Sequence, residues 1–176
     1  LINFMRNICE CTKVNGYFIG ACYDGNNLID KLKNKKIEEG ITLMNSDNTN
    51  KIWQITKQYE NEKLKDDISS LGIGIDIYQE SINKPFREYL VNFNYVIRVM
   101  ENYGFVPLDD TDAKKMGLPS GVGNVKELYT TLENDVKRNP GIKKNIKNSL
   151  DMSDNEKYIS FLNKYFVFKK IRNVDA

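Results

Sequence analysis

Three stretches predict an α/β fold with a mostly parallel sheet. Tyr17 to Tyr23 and Tyr165 to Phe168 are continuous apolar runs, as in strands covered on both faces by helices. Between them, Ile73, Ile75 and Ile77 alternate with Gly74 and Asp76, and Phe86, Leu90, Phe93, Ile97 and Met100 then recur at helical spacing. Gly104 and a short apolar run, Phe105 to Leu108, follow. The order strand, loop, helix, strand belongs to the α/β class.

In chain order, Leu1, Phe4, Met5, Ile8 and Cys9 lie at helical spacing, and Gly16 stops that helix before the first strand. Asn26 to Lys36 reads as a short surface helix with Leu28, Ile29 and Leu32 inward and its lysines solvated. Asn45 to Asn50 is a polar turn. Lys51 to Tyr59 alternates as a strand and is expected to pair antiparallel with Ile73 to Tyr78 as an added hairpin, with Trp53 in the core or on the sheet surface. Lys84 precedes Pro85 and is pushed out of the helical region, so a helix is expected to start at Pro85. Glu88 then sits two residues from both Phe86 and Leu90, roughly 200° around the axis from each, off the core face. On the residues alone it is a carboxylate near a helix N-terminus, favoured by the macrodipole by about 0.3–1 kcal/mol.

Beyond Leu108, Asp109 to Asn124 reads as a turn-rich loop, Val125 to Lys137 as a helix with Leu128, Leu132 and Val136 on one side, and Asn139 to Asp154 as a flexible, lysine-rich connector. A short helix and the final strand close the chain. Gly72 with Gly74 and Gly121 with Gly123 are the glycine pairs at dinucleotide-loop spacing; the first opens a strand and the second lies in a polar loop, so neither is expected to hold a cofactor.

With 176 residues, 40% hydrophobic and 28% charged, the chain suffices for one domain with a core. A net charge of +2 argues against a broad basic face, so any RNA contact is expected to be local. No apolar run approaches the ~20 residues of a membrane span, and a soluble, intracellular protein is expected. Cys9, Cys11 and Cys22 have no histidine to join them, because the sequence contains none; no metal site is expected. The same lack disfavours Ser-His and Cys-His nucleophiles. Chemistry that runs on alignment and electrostatics survives this test.

Asn83 to Phe93, INKPFREYLVNF with the preceding Ile82, together with Met100 to Phe105, MENYGF, resembles the mRNA cap (guanine-N7) methyltransferases, especially the methyltransferase domain at the C-terminus of capping enzymes from large DNA viruses. Gly16 to Gly20 resembles that family's Gly-Gly-Tyr-Phe-Ile-Gly strand, with Asn15 in place of its first glycine. The matches cover Leu1 to Gly25, Ile73 to Leu108 and Tyr165 to Ile171. The resemblance implies the C-terminal half of a class I (Rossmann-like) methyltransferase, residues 1–176, with an antiparallel last strand and an inserted β-hairpin. It assigns Glu88 and Tyr165 to the pocket for the cap guanine, with no catalytic acid or base. The methyl donor would be S-adenosylmethionine, held by residues outside this chain, so that this stretch alone is expected to be inactive. The implied partners are the capped mRNA 5′ end and other capping-enzyme domains, in the cytoplasm (a viral factory) or the nucleus.

Ligands in open α/β sheets bind beyond the carboxyl ends of the parallel strands. The loop Ala21 to Asn26, the start of the helix carrying Glu88 and the start of an antiparallel last strand at Tyr165 are expected to meet at that edge. Tyr165 is otherwise a strand-end aromatic with a solvent-facing hydroxyl. Two further readings stay open: a non-catalytic, stimulatory methyltransferase-like subunit, and a class I methyltransferase acting on another substrate.

Overall fold

The computed structural model describes residues 2–146 and 148–174; Leu1, the first residue of the predicted opening helix, lies outside them. In order come α1 (Ile2–Cys11), β1 (Tyr17–Tyr23), α2 (Gly25–Leu32), β2 (Gly40–Met44), β3 (Lys51–Lys57), β4 (Gly74–Gln79) and β5 (Lys84–Tyr89). Then follow α3 (Phe93–Asn102), β6 (Phe105–Pro107), α4 (Asp110–Lys115), β7 (Val122–Asn124), α5 (Val125–Arg138), α6 (Lys143–Ile146), α7 (Asp154–Ser160) and β8 (Asn163–Lys170). The chain forms two compact units, one from the segments up to Cys22 and from Val96 onward, the other from Tyr23 to Tyr95.

In the first unit β8 lies between β1 and β6, and β7 also pairs with it. β6 and β7 both run antiparallel to β8. The Asn15 amide donates to the Lys170 carbonyl (2.8 Å), the Lys170 amide to the Gly16 carbonyl (2.9 Å), and Gly20 lies against the Phe166 ring. As the chain advances from Asn15 to Gly20 its partner recedes from Lys170 to Phe166, so β1 too is antiparallel to β8. β1 and β6 therefore run the same way on either side of an antiparallel last strand. The expected mostly parallel sheet is not seen: among the described residues the ladders are antiparallel, with one parallel bridge, Asp24 to Val91. Met5, Cys9, Met100, Phe105 and Phe168 form the core here.

β1 differs from its expectation. None of its first six residues is fully buried, and Tyr17 and Ile19 are exposed. β8 is the better-covered strand, with Tyr165, Val167, Phe168 and Lys170 buried. Asn15, standing where the resembled motif has glycine, takes φ +66°, a left-handed conformation that Asn tolerates better than other side chains. The predicted stop at Gly104 has φ +81°, with the Arg172 carbonyl where a Cβ would stand. The stretch from Asp109 to Asn124 is more ordered than a loop. Asp109 caps α4, and Gly121 and Gly123 bring β7 against Leu108 and Tyr165 too closely for a side chain.

The second unit is a four-stranded sheet in the order β2-β3-β4-β5, antiparallel throughout. The predicted hairpin is present, with Ile55 opposite Ile77 and Thr56 opposite Asp76, and the polar turn at Asn45 joins β2 to β3. Its inner face carries Trp53, Ile55, Ile75 and Ile77, and Leu28, Ile29 and Leu32 of α2 are also buried.

The helix expected at Pro85 is instead the edge strand β5, and the helix begins at Phe93. Asn83 at φ +55° and the amides of Ile82 and Asn83, both donating to the Gln79 carbonyl, make the turn. Phe86 then faces Ile77, and Arg87 pairs with Asp76. A proline is tolerated on an edge strand, where one side makes no ladder bonds. The helix takes its cap from Asn92, whose side-chain oxygen accepts from the Asn94 amide (3.0 Å).

Candidate functional site

Moving Glu88 from helix to strand changes which way it points. On β5 it shares a face with Phe86, because positions two apart on a strand point the same way, and this is the inner face of the sheet, opposite Ile75. Glu88 is half-buried. Among the described residues its carboxylate makes no hydrogen bond or ion pair, and burial pushes its pKa above the ordinary value. Lys57, on the same face opposite Ile75, does not neutralise it. Its ammonium donates to the carbonyls of Leu32 (3.4 Å) and Lys35 (3.0 Å) at the end of α2.

Tyr23 stands near this carboxylate. Its hydroxyl accepts from the Trp53 indole nitrogen (3.1 Å) and is hydrogen-bonded to Gln79. Its pKa is raised, first by burial, while those two hydrogen bonds oppose the shift and the negative charge of Glu88 adds to it. Asp24, the next residue, caps α2 through the Asn26 amide (3.2 Å), and the Gly25 amide donates to the Val91 carbonyl (3.0 Å). The loop after β1 and the segment leading into α3 thus meet, but Glu88 stands on β5 and not at the start of that helix. Aromatic and polar groups line the inner face beside a carboxylate that accepts nothing. Such a group can take two adjacent donors from a planar ligand.

Sequence reasoning left Tyr23 as a strand end and Gln79 unremarked. The signal available was the pairing of Gln79 with Trp53 across the predicted hairpin, which places a polar side chain next to an indole N–H. Trp53 itself is 1% exposed and is core, as read.

Tyr165 belongs to the other unit, so the structure describes the two predicted residues separately. Tyr165 is 6% exposed and pairs with Gly123 on β7. Its hydroxyl is engaged within the fold: it accepts from the Ser120 amide (3.2 Å) and donates to the Ser120 carbonyl (3.1 Å). β8 starts two residues earlier than Tyr165.

Among the described residues there is no group of three or more His, Cys, Asp or Glu placed to hold a metal ion, and no helix long and apolar enough to cross a membrane. Of the glycine pairs, Gly121 and Gly123 are closed by Leu108 and Tyr165 and Gly74 lies against Arg87, while Gly72 is open at φ +80°.

A family model described as the mRNA (guanine-N(7))-methyltransferase domain matches residues 2–171. A probable mRNA-capping enzyme of Acanthamoeba polyphaga mimivirus is 26% identical over 196 aligned positions, which take in 98% of this chain and 16% of that protein. The chain thus spans about a sixth of the length of that relative.

Proposed function

This chain belongs to the mRNA (guanine-N(7))-methyltransferase domain family, and we propose that its part in the reaction is to bind the cap guanine through Glu88. The observation that carries the reading is the half-buried carboxylate without a partner. Burying a charge and leaving it unpaired is costly unless a ligand supplies the partner. Guanine presents adjacent N–H donors on its Watson-Crick edge, and a carboxylate accepts from such a pair. Methylation at N7 makes the base cationic, so the negative charge of Glu88 is worth more in the transition state than in the ground state. The base is held in line, a positioning effect of up to roughly 7–11 kcal/mol in ideal cases. The family implies S-adenosylmethionine, which supplies the methyl group from a sulfonium. No residue described here is assigned to it.

Tyr165 is the second contact in this reading, on the strength of the resemblance. Because Ser120 occupies its hydroxyl, its contribution is that of the ring and of the Ser120 turn it fixes. The test is methyl transfer to capped RNA by the complete protein. Glu88→Gln replaces one acceptor oxygen by a donor facing guanine donors, and hydrogen bonds to charged groups are worth about 1.5–3 kcal/mol. Efficiency should fall at least about tenfold with cofactor affinity nearly unchanged. Wild-type efficiency in Glu88→Gln would remove the guanine-binding role.

A further inference from the structure

From Pro140 to Ile146 the connector after α5 is structured, and its described lysines carry a charge that the fold does not use. From Val136 to Leu150 the sequence holds Lys137, Arg138, Lys143, Lys144 and Lys147 and no acidic residue, although the whole chain carries only +2. The remainder of the chain is net acidic, although residues 31–36 and 164–172 are also locally basic. Asn139 ends α5, its side chain accepts from the Gly141 amide (3.2 Å), and the Ile142 amide donates to the Asn139 carbonyl (3.1 Å). The turn at Pro140–Ile142 packs against both α5 and α6, which keeps the end of one helix beside the start of the other.

Lys137, Arg138, Lys143 and Lys144 are all exposed. Among the described residues none of these four side chains makes a hydrogen bond or ion pair. Helix-end electrostatics accounts for the first two, since cations complement the C-terminus of α5. It does not account for Lys143 and Lys144, which open the one-turn helix α6. Ile142 and Ile146 are half-buried while the lysines between them face water. The stretch contains no aromatic residue, so it offers nothing on which a base could stack.

We propose that this basic turn contacts the phosphate backbone of the RNA that follows the cap, without regard to its sequence. The partner class rests on the family reading above; the turn itself is separate from Glu88. The experiment compares the complete wild-type protein with a Lys137→Gln, Arg138→Gln, Lys143→Gln, Lys144→Gln variant. Each is measured for binding a capped oligonucleotide over a range of salt, and for methyl transfer to that oligonucleotide and to a cap dinucleotide. Single-strand binding changes by about 0.7 in log-log salt slope per neutralised phosphate, so the slope should become shallower by up to about 3 and oligonucleotide affinity should drop at least about tenfold at low salt. Activity on the cap dinucleotide should stay at the wild-type level, and Lys143→Arg with Lys144→Arg should keep both. An unchanged slope and affinity overturns the proposal, and so does an equal loss on both acceptors. If Glu88→Gln leaves methyl transfer intact while the slope still falls, the guanine reading fails and the RNA contact stands.

Discussion

Each unit buries a lysine, and each lysine closes the end of a helix; the second unit also holds Glu88, a carboxylate that among the described residues makes no hydrogen bond or ion pair and whose pKa is raised by burial. In the first unit the Lys170 ammonium donates to the carbonyls of Cys9 (2.7 Å) and Thr12 (2.8 Å) at the end of α1. In the second, Lys57 does the same for α2. Those charges meet orphan carbonyls that the fold itself presents, and they account for themselves structurally. The Tyr165 hydroxyl, with both of its functions spent on Ser120, is of the same kind. Glu88 differs: it is a half-buried acceptor with no donor among the described residues, on the inner face of a sheet where burial disfavours its charge. A satisfied buried group is evidence about folding. An unsatisfied one at an accessible position is evidence about a ligand.

The comparison breaks most visibly at Tyr165. Replacing a buried large aromatic by alanine costs about 3–5 kcal/mol, so Tyr165→Ala should lower stability sharply by denaturant titration. Tyr165→Phe loses the hydrogen bonds but keeps the volume, and should cost about 1 kcal/mol. Equal costs for the two would mean that the ring is not packed as described. Next in size is Lys170→Met, which leaves the Cys9 and Thr12 carbonyls without their donor. At about 1–3 kcal/mol for the buried Cys9 carbonyl and less for the partly buried Thr12 carbonyl, roughly 2–4 kcal/mol should be lost. A variant as stable as wild type would show that water replaces the ammonium and that the lysine is not structural.

How far the sequence revealed this depends on whether one periodicity stood without a rival. α2, the hairpin of β3 with β4, the stop at Gly104 and the closing helix and strand each show one pattern without a rival, and they read correctly although β8 pairs with strands far from it in the chain. β5 failed because Phe86 and Leu90 stand four apart, as on a helix, while Phe86 and Glu88 stand two apart, as on a strand. Pairing with β4 decided between them, through Ile77 against Phe86 and Asp76 against Arg87. β2, with only Ile41 to Met44 as a signal, went unread for the same reason: it exists by pairing with β3. For the site, Glu88 was singled out by its motif rather than by periodicity. Its lack of a partner, and the hydrogen bond from Trp53 to Tyr23 beside it, depend on which face of the sheet each strand turns inward.

The smallest effect tests the exception directly, without substrate. The Glu88 carboxyl titrates above its ordinary value of 4.5 because burial disfavours its charge. Below that value it is protonated in both folded and unfolded chains, and its favourable contribution is fully present. As pH rises the unfolded chain ionises first, the folded state holds the extra proton, and stability falls until the folded carboxyl has ionised too. Glu88→Gln has no such titration. Its stability relative to wild type should therefore rise as pH climbs from the acid side through the carboxylate range and then level off. At neutral pH the variant should be at least as stable as wild type while methylating poorly. Urea titrations of both proteins across that range read this difference. If wild type is instead the more stable at neutral pH, a donor within the fold already answers Glu88, and the contrast between it and the two buried lysines disappears.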